Sequence, residues 1–288
     1  MTERIWITEV GPRDGLQNEQ AIVPLADKVM LVEQLAAAGC PEVEVSAFVR
    51  PDRVPQLADA EQVFAALTKR PGTVYSALVP NIRGLERAIE SGADKVALFT
   101  AASETFAARN TNTSIEGSIE RFRPVVAEAA TAGLPVRVYV SCAVACPWEG
   151  GITPRHVATV IERLLELGPM EIDLGDTIGV ATPDDIERLL EAATPLVPVD
   201  QLVLHLHDTH QSAIACAKRA VELGVRRFDT ACGGLGGCPF APGAPGNVAT
   251  GAMLTLCHDL GFTTGIDHDA VAETATWIRS RLRCKNSP

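Results

Sequence analysis

The chain has 288 residues, which is long enough to bury a large core within one domain without requiring a second. Hydrophobic residues make up 47% and charged residues 21%, a balance typical of a folded globular protein and unlike that of a disordered one. The formal net charge is −11 and no basic stripe offsets it, which argues against nucleic acid as a partner.

The first residues predict a strand and not a targeting segment. Residues 4–8, Arg-Ile-Trp-Ile-Thr, are strand-like, and they show no charged n-region with an apolar h-region. No apolar run approaches the roughly 20 residues that a membrane-spanning helix needs. The eight cysteines lack the compact spacing of a secreted disulfide framework. We therefore expect a cytoplasmic protein with reduced thiols and no membrane partner.

Eight short β-rich runs alternate with segments of helical spacing along the chain. The predicted strands are residues 5–10, 42–46, 75–79, 95–99, 137–141, 171–174, 202–207 and 227–230. The predicted helices are residues 25–39, 54–69, 82–92, 115–133, 154–168, 184–196 and 212–224. Many of the helices end at a glycine directly before the next strand, as helix C-caps do. Eight such units with short connections predict an α/β fold of the (β/α)8 or TIM-barrel class, a closed parallel barrel.

A Gly/Pro/Ala-rich stretch over residues 231–246 follows the eighth predicted strand. Long loops inside a compact domain are usually functional, so we expect this Gly/Pro-rich loop to lie over the barrel mouth and to carry active-site residues. Helical patterns follow around residues 248–260 and 270–282. We therefore expect one catalytic domain over residues 1–288, in which residues 247–288 add C-terminal helices to the barrel.

Polar side chains follow several predicted strands at the barrel end where reactive groups gather. His205 and His207 are two residues apart in the seventh strand, so both imidazoles lie on one face. Asp14 follows the first strand, Glu44 lies near the end of the second and Asp176 follows the sixth. Two imidazoles with oxygen ligands suit a divalent cation, Mg²⁺ or Mn²⁺, with Zn²⁺ or Co²⁺ as alternatives. The spacing therefore predicts a metal site.

Three further residues are candidates for the same site, each with an alternative. Asn247 can add an amide oxygen to the cation or serve as a helix N-cap. Arg13, beside Asp14, offers a fixed positive charge for an oxyanion or enolate, unless it is a surface charge. Cys238 lies in the Gly/Pro-rich loop, where a thiol can act as an acid or nucleophile or have no role.

Five segments carry a resemblance to a known family: Glu9-Val-Gly-Pro-Arg-Asp-Gly-Leu-Gln-Asn-Glu19, Glu42-Val-Glu-Val-Ser-Ala-Phe48, Gly175-Asp-Thr-Ile-Gly-Val180, His205-Leu-His-Asp-Thr209 and Gly234-Leu-Gly-Gly-Cys-Pro-Phe240. Over about residues 4–260 the chain resembles the 3-hydroxy-3-methylglutaryl-CoA lyases. The Arg-Asp and His-x-His elements are shared with a wider metal-dependent superfamily that includes isopropylmalate and homocitrate synthases. The Gly-Leu-Gly-Gly-Cys-Pro loop is close to diagnostic of the lyases.

The resemblance implies a carbon–carbon lyase acting on an acyl-CoA. It would cleave 3-hydroxy-3-methylglutaryl-CoA to acetyl-CoA and the 3-oxo acid acetoacetate by metal-assisted retro-Claisen cleavage, in leucine degradation and ketone-body formation. The same resemblance implies a homodimer. It also implies a cation held by four residues, with Glu44 ordering the ligand shell: Asp14, His205, His207 and Asn247.

Catalytic roles follow from the resemblance as well. Asp14 or His205 would take the proton of the tertiary hydroxyl, and Arg13 would stabilise the thioester enolate. Asp176 would assist substrate positioning or proton transfer. Cys238 would protonate the enolate, which requires a nearby positive charge to form.

The chain departs from the family pattern at three places. Residues 210–212 are His-Gln-Ser in place of Tyr-Gly-Gln, residues 251–252 are Gly-Ala in place of Glu-Asp, and Asp173 replaces a serine and adds an acidic group. Lyases for citramalyl-CoA or isohexenylglutaryl-CoA therefore stay open as alternatives. A transferase running the Claisen step forwards is disfavoured by Cys238, which the synthases lack. A non-catalytic acyl-CoA binder is disfavoured because Arg13, Asp14 and both histidines are retained.

Overall fold

Eight parallel strands close into a barrel in the computed structural model, which describes residues 3–236 and 246–283. Each strand pairs with its neighbours in sequence order, and β8 closes the barrel on β1 with Trp6 opposite Arg227. The TIM-barrel prediction and all eight predicted strands are confirmed. The strands are β1 (Trp6–Glu9), β2 (Glu42–Ala47), β3 (Val74–Leu78), β4 (Lys95–Ala101), β5 (Val136–Ser141), β6 (Glu171–Asp176), β7 (Leu202–Leu206) and β8 (Arg227–Thr230).

Helices follow the strands and pack around the barrel. Five of them begin at a side chain that accepts a hydrogen bond from the backbone N–H three residues ahead, which satisfies an amide that the first helical turn leaves unpaired. The described helices are α1 (Leu25–Ala37), α2 (Ala60–Ala66), α3 (Ile82–Glu90), α4 (Glu104–Thr111), α5 (Ile115–Thr131), α6 (Pro154–Leu165), α7 (Pro183–Ala193), α8 (Ala213–Glu222), α9 (Thr250–Asp259) and α10 (His268–Arg283).

Some elements differ from the sequence prediction. The helix predicted over residues 54–69 is a 3₁₀ turn (Pro55–Leu57) followed by the short α2, which ends where Leu67 turns to extended backbone. Helix α4 was not predicted, because its eight residues show no clear apolar stripe. The chain after β5 forms a two-residue antiparallel pair, Ala145–Cys146 with Gly150–Gly151. None of the described helices is both long and apolar enough to cross a membrane.

Strand alternation places apolar side chains toward the helices and polar ones inside the barrel. On β5, Val138 and Val140 are buried in the apolar layer, whereas Arg137 reaches across the interior. The Arg137 guanidinium donates to Glu171 at 2.8 Å, to Asp229 at 2.7 Å and to Thr8 at 2.9 Å. A buried arginine therefore links four strands.

Arg137→Met should lower the free energy of unfolding by about 3–5 kcal/mol, because it leaves buried carboxylates without their cation. Urea unfolding followed by circular dichroism measures the change. Arg123→Met is the matched control, since Arg123 pairs with Glu120 on the exposed face of α5 and should leave the urea midpoint nearly unchanged. Equal midpoints for the two variants would contradict the stabilising role of Arg137.

Candidate metal centre

A single π-helical turn after β1, Gly11–Gly15, presents Arg13 and Asp14 at the carboxyl end of the barrel. The backbone N–H groups of Arg13, Asp14 and Gly15 all lie within 3.2 Å of the Val10 carbonyl oxygen, which tightens the turn. A β-carbon at Gly15 would lie 2.7 Å from the Leu235 side chain, so glycine is needed for the chain to pack here. The turn therefore delivers both functional side chains to the interior.

Asp14, His205 and His207 converge at this end of the barrel. The Nε2 atoms of the two histidines lie 3.2 Å apart, and the Asp14 Oδ2 atom lies 3.9 Å from Nε2 of His205 and 4.0 Å from Nε2 of His207. One ligand atom from each residue thus lies within 4.8 Å of the other two, the arrangement of a possible cation site. Two imidazole nitrogens and a carboxylate oxygen are donors that a divalent cation accepts.

The environment keeps Asp14 and His207 in the protonation states that bind a cation. Burial would raise the pKa of Asp14, but the charges of Arg13 and the histidines lower it to about 2, so the carboxylate is ionised. Burial and the charge of His205 lower the pKa of His207 to about 4, which keeps it neutral. The His207 Nδ1 atom is buried without a hydrogen-bond partner among the described residues. A neutral imidazole and an ionised carboxylate fit a cation.

Asp229 on β8 orients His205. Its Oδ2 atom lies 3.1 Å from Nδ1 of His205, so the Nε2 atom of the same ring faces Asp14. A carboxylate behind a ligand histidine usually sets the tautomer in this way. Burial disfavours protonation of His205, but the hydrogen bond to Asp229 and the charge of Asp14 outweigh it and raise the pKa.

Asp14 is held by three hydrogen-bond donors. Its Oδ1 atom accepts from Arg13 at 2.5 Å and from Gln17 at 2.7 Å, and its Oδ2 atom accepts from the Asn247 amide nitrogen at 2.8 Å. Asn247 also donates to the Leu235 carbonyl at 3.1 Å. The sequence predicted an amide oxygen of Asn247 as a ligand. With the amide oriented as described, its nitrogen faces Asp14, and a rotated amide would present the oxygen.

Arg13 is buried and fixed between two carboxylates. Its Nε atom donates to Glu44 at 2.5 Å and its Nη1 atom to Asp14, while the guanidinium lies 5.3 Å from the centre of the Tyr139 ring. Burial would lower the pKa of Arg13, but the charges of Glu44 and Asp14 raise it. Burial raises the pKa of Glu44 despite the Arg13 charge. The alternative of a surface charge is wrong, because only 5% of Arg13 is exposed.

The remaining two predicted residues are placed differently. Asp176 ends β6, and its carboxylate accepts from the backbone N–H groups of Val180 at 3.2 Å and Ala181 at 2.9 Å. Burial raises its pKa. No contact of Asp176 with Asp14 or the histidines is seen within residues 3–236 and 246–283. Cys238 lies outside the described residues, as does most of the predicted loop, residues 237–245.

Sequence reasoning missed three residues that support the centre. They are Asp229 behind His205, Gln17 on Asp14, and Tyr139, whose hydroxyl lies 3.3 Å from Glu44. Asp229 could have been found from the sequence, because it lies at an inward position of a predicted strand. An acid there is rarely buried without a partner. Gln17 comes one helical turn after Asp14, a spacing at which side chains meet.

Comparisons with known proteins agree on one family. The chain matches the HMGL-like family over residues 4–278. It is 46% identical to a Pseudomonas aeruginosa protein named 3-hydroxy-3-isohexenylglutaryl-CoA/hydroxy-methylglutaryl-CoA lyase, over 99% of this chain and 95% of that one. The HMG-CoA lyase structure from Brucella melitensis is similar with a TM-score of 0.96 and 45% identity, covering 98% of this chain and 99% of that one. The structure of an Acinetobacter baumannii HMG-CoA lyase in complex with coenzyme A and 3-methylmalate is similar with a TM-score of 0.92 and 36% identity. The match covers 97% of this chain and 92% of that one.

Proposed function

Since the chain belongs to the HMGL-like family, we propose that it is a lyase that cleaves 3-hydroxy-3-methylglutaryl-CoA to acetyl-CoA and acetoacetate. One observation carries the proposal: the buried Arg13 guanidinium lies directly beside the group formed by Asp14, His205 and His207. A fixed positive charge next to a cation site is what enolate formation from a thioester requires.

A cation held by Asp14, His205 and His207, with Asn247 adjacent, would polarise the substrate hydroxyl and carbonyl oxygens as a Lewis acid. Mg²⁺ or Mn²⁺ is the proposed ion, because nitrogen and oxygen donors make up the set and no thiolate joins it within the described residues. Arg13 then carries the charge that offsets the negative oxygen of the departing thioester. Glu44 keeps Arg13 in that place through the hydrogen bond to Nε.

The reaction needs one proton taken and one returned. The tertiary hydroxyl gives up its proton, its oxygen becomes the ketone of acetoacetate, and the electrons of the broken C–C bond pass to the acetyl-CoA enolate. Of the two expected bases we favour Asp14, because a carboxylate keeps lone pairs beyond the one that a cation would take, whereas His205, with Nδ1 on Asp229, would use Nε2 for the cation. We assign the return of the proton to the enolate carbon to Cys238, and substrate positioning to Asp176 through its loop.

A second substrate is favoured by one finding. The Pseudomonas aeruginosa relative carries both the isohexenylglutaryl-CoA and the hydroxymethylglutaryl-CoA names at 46% identity. A 3-hydroxyglutaryl-CoA with a longer branch is therefore the second candidate, and the same residues would act on it. A homodimer, a cytoplasmic location and a role in leucine degradation and ketone-body formation stay predictions that accompany this assignment.

Acetyl-CoA release from 3-hydroxy-3-methylglutaryl-CoA tests the proposal. After chelation and gel filtration, activity should fall at least tenfold and return with Mg²⁺ or Mn²⁺. Cys238→Ala should lower kcat by about 100-fold, the usual contribution of a positioned proton donor. Cys257→Ala, a buried cysteine in α9, is the matched control and should keep its activity.

Two results would count against this assignment. Full activity of the chelated protein would remove the metal from the reaction, and unchanged turnover of Cys238→Ala would remove the thiol. If the protein binds a cation but releases no acetyl-CoA, the longer-branched thioester becomes the first candidate to assay.

A further inference from the structure

The Asp229 carboxylate connects the metal centre to the charged interior of the barrel. Its Oδ2 atom lies 3.1 Å from Nδ1 of His205, and its Oδ1 atom accepts from Nη1 of Arg137 at 2.7 Å. The same Nη1 atom lies 3.4 Å from Oδ2 of Asp173, so Asp229 has the closer contact. All four side chains are buried. The two oxygens of one carboxylate therefore join Arg137 to a residue of the cation site.

The Arg137 guanidinium is itself held from the amino-terminal side of the barrel interior. Its Nε atom donates to Glu171, the first residue of β6, at 2.8 Å, and its Nη2 atom donates to Thr8 at 2.9 Å. Glu171 also accepts from Lys95 at 2.5 Å. The N–H groups of a guanidinium form a rigid planar fork. Two of its nitrogens are thus fixed by other strands, and they set the position of the Nη1 donor that meets Asp229.

Fixing one oxygen of Asp229 also fixes the other. The terminal torsion of an aspartate side chain is broad, so the backbone alone does not set the plane of the carboxylate. With Oδ1 on Arg137, Oδ2 is placed against His205. A carboxylate only accepts hydrogen bonds, so Nδ1 of His205 carries the hydrogen and Nε2 offers its lone pair toward Asp14. Orientation therefore passes from Arg137 through Asp229 to the ligand nitrogen.

We propose that Arg137 is a positioning residue for the cation site: it holds Oδ1 of Asp229, and so keeps Nε2 of His205 directed at the cation. The alternative is that Arg137 supplies only charge and stability to the barrel. The two roles predict opposite changes in cation affinity. Removing a buried positive charge would lift a repulsion and tighten cation binding, whereas losing the orientation of a ligand weakens it. The inference rests on the proposed function only in that it uses the cation.

Mn²⁺ binding without substrate, measured by electron paramagnetic resonance, tests this role. Arg137→Lys keeps the charge, but one ammonium group cannot reproduce the fork that reaches Glu171 and Asp229 together. Its Kd for Mn²⁺ should rise by roughly tenfold, as on loss of an outer hydrogen-bond partner. Arg137→Met should also weaken binding, although it removes a positive charge. If Arg137→Met does not fold, Arg137→Lys carries the test alone.

Thr8→Val is the matched control. It removes another hydrogen-bond partner of Arg137, changes no charge and leaves the Nη1 contact with Asp229 in place. Its Kd for Mn²⁺ should stay within about twofold of wild type. An unchanged or tighter Kd in either folded Arg137 variant would overturn the positioning role.

A double-mutant cycle tests the route through Asp229. Residues that act through one another give non-additive effects. In the Asp229→Asn background, Arg137→Lys should therefore change the Kd for Mn²⁺ by no more than about twofold. If the losses of the two single variants multiply in the double variant, Arg137 does not act through Asp229 and the inference is wrong.

Nitrogen-15 NMR of the histidine rings, without a cation, gives an independent measurement. His205 in wild type should show its hydrogen on Nδ1, and Arg137→Lys should show a mixture of the two tautomers. The signals of His205 are assigned by their loss in His205→Gln. Identical His205 ring signals in wild type and Arg137→Lys would overturn the inference, because a merely destabilised barrel leaves the tautomer unchanged.

The failure of this inference is distinguishable from that of the proposed function. A wild-type protein that binds no Mn²⁺ would overturn the positioning role at a cation site. A protein that binds Mn²⁺ with the expected dependence on Arg137 and releases no acetyl-CoA would overturn the proposed substrate and leave the role of Arg137 standing.

Discussion

Arg13→Met should lower kcat for acetyl-CoA release by about 10³-fold while KM changes little, because the lost charge acts on the developing enolate more than on the bound substrate. Methionine keeps the length and apolar body of the side chain but cannot neutralise an oxyanion. Arg13 is the one cation in contact with Asp14 and Glu44 within the described residues. No neighbouring side chain in that part of the chain can therefore replace it.

Steady-state kinetics with saturating Mg²⁺ measure the effect. Arg13→Lys should recover part of the activity, since it restores the charge but cannot donate to Glu44 and Asp14 together. Arg123→Met on the exposed face of α5 is the control for losing an arginine. Because Arg13 also holds Asp14, the Mn²⁺ Kd of each variant is needed. A kcat loss fully explained by lost cation binding, or a kcat within tenfold of wild type, would contradict enolate stabilisation by Arg13.

His207→Ala should weaken Mn²⁺ binding by more than about 100-fold, beyond the loss caused by removing an outer hydrogen-bond partner. Its Nε2 atom is one of the three ligand atoms that converge at the carboxyl end of the barrel. Activity should fall with cation occupancy and recover in part at high Mn²⁺ concentration. Asp14 and His205 remain in this variant, so a weaker site should persist.

Isothermal titration calorimetry with Mn²⁺, after chelation, gives the dissociation constants of wild type and of His207→Ala. His258→Ala is the matched control, because the His258 side chain on α9 is 90% exposed and pairs only with Asp259 in the described part of the chain. It should bind Mn²⁺ as wild type does. Wild-type affinity in His207→Ala would show that the converging imidazoles do not hold the cation.

The sequence predicts that His205 and His207 share one face of a strand, but it does not predict that Asp229 contacts His205. Two-residue spacing in a strand places both imidazoles on one face whatever surrounds them. Asp229 is 24 residues from His205 and reaches it because β7 and β8 pair with these two residues opposite each other. Strand alternation predicts which side a residue faces. It does not predict the register with the neighbouring strand.

The same limit applies to the charges inside the barrel. The sequence showed acids and an arginine on predicted strands, but it did not show that Arg137 spans the interior to Thr8, 129 residues away. Nor did it show that Asp173 is fully buried, where burial and the charge of Asp229 raise the pKa of its carboxyl. Protonation depends on burial and on neighbours from other strands, which only the closed barrel brings together.

By itself, the sequence determined the eight βα units, the barrel class, the shared face of His205 and His207 and the strand ends that carry Asp14 and Glu44. Each of these depends on local periodicity or on chain order, which are properties of one stretch of chain. The tertiary structure decided the burial of Arg13 between two carboxylates, the orientation of His205 by Asp229, and the contact of the Asn247 nitrogen with Asp14. These contacts join residues from distant parts of the chain, and barrel closure sets their distances.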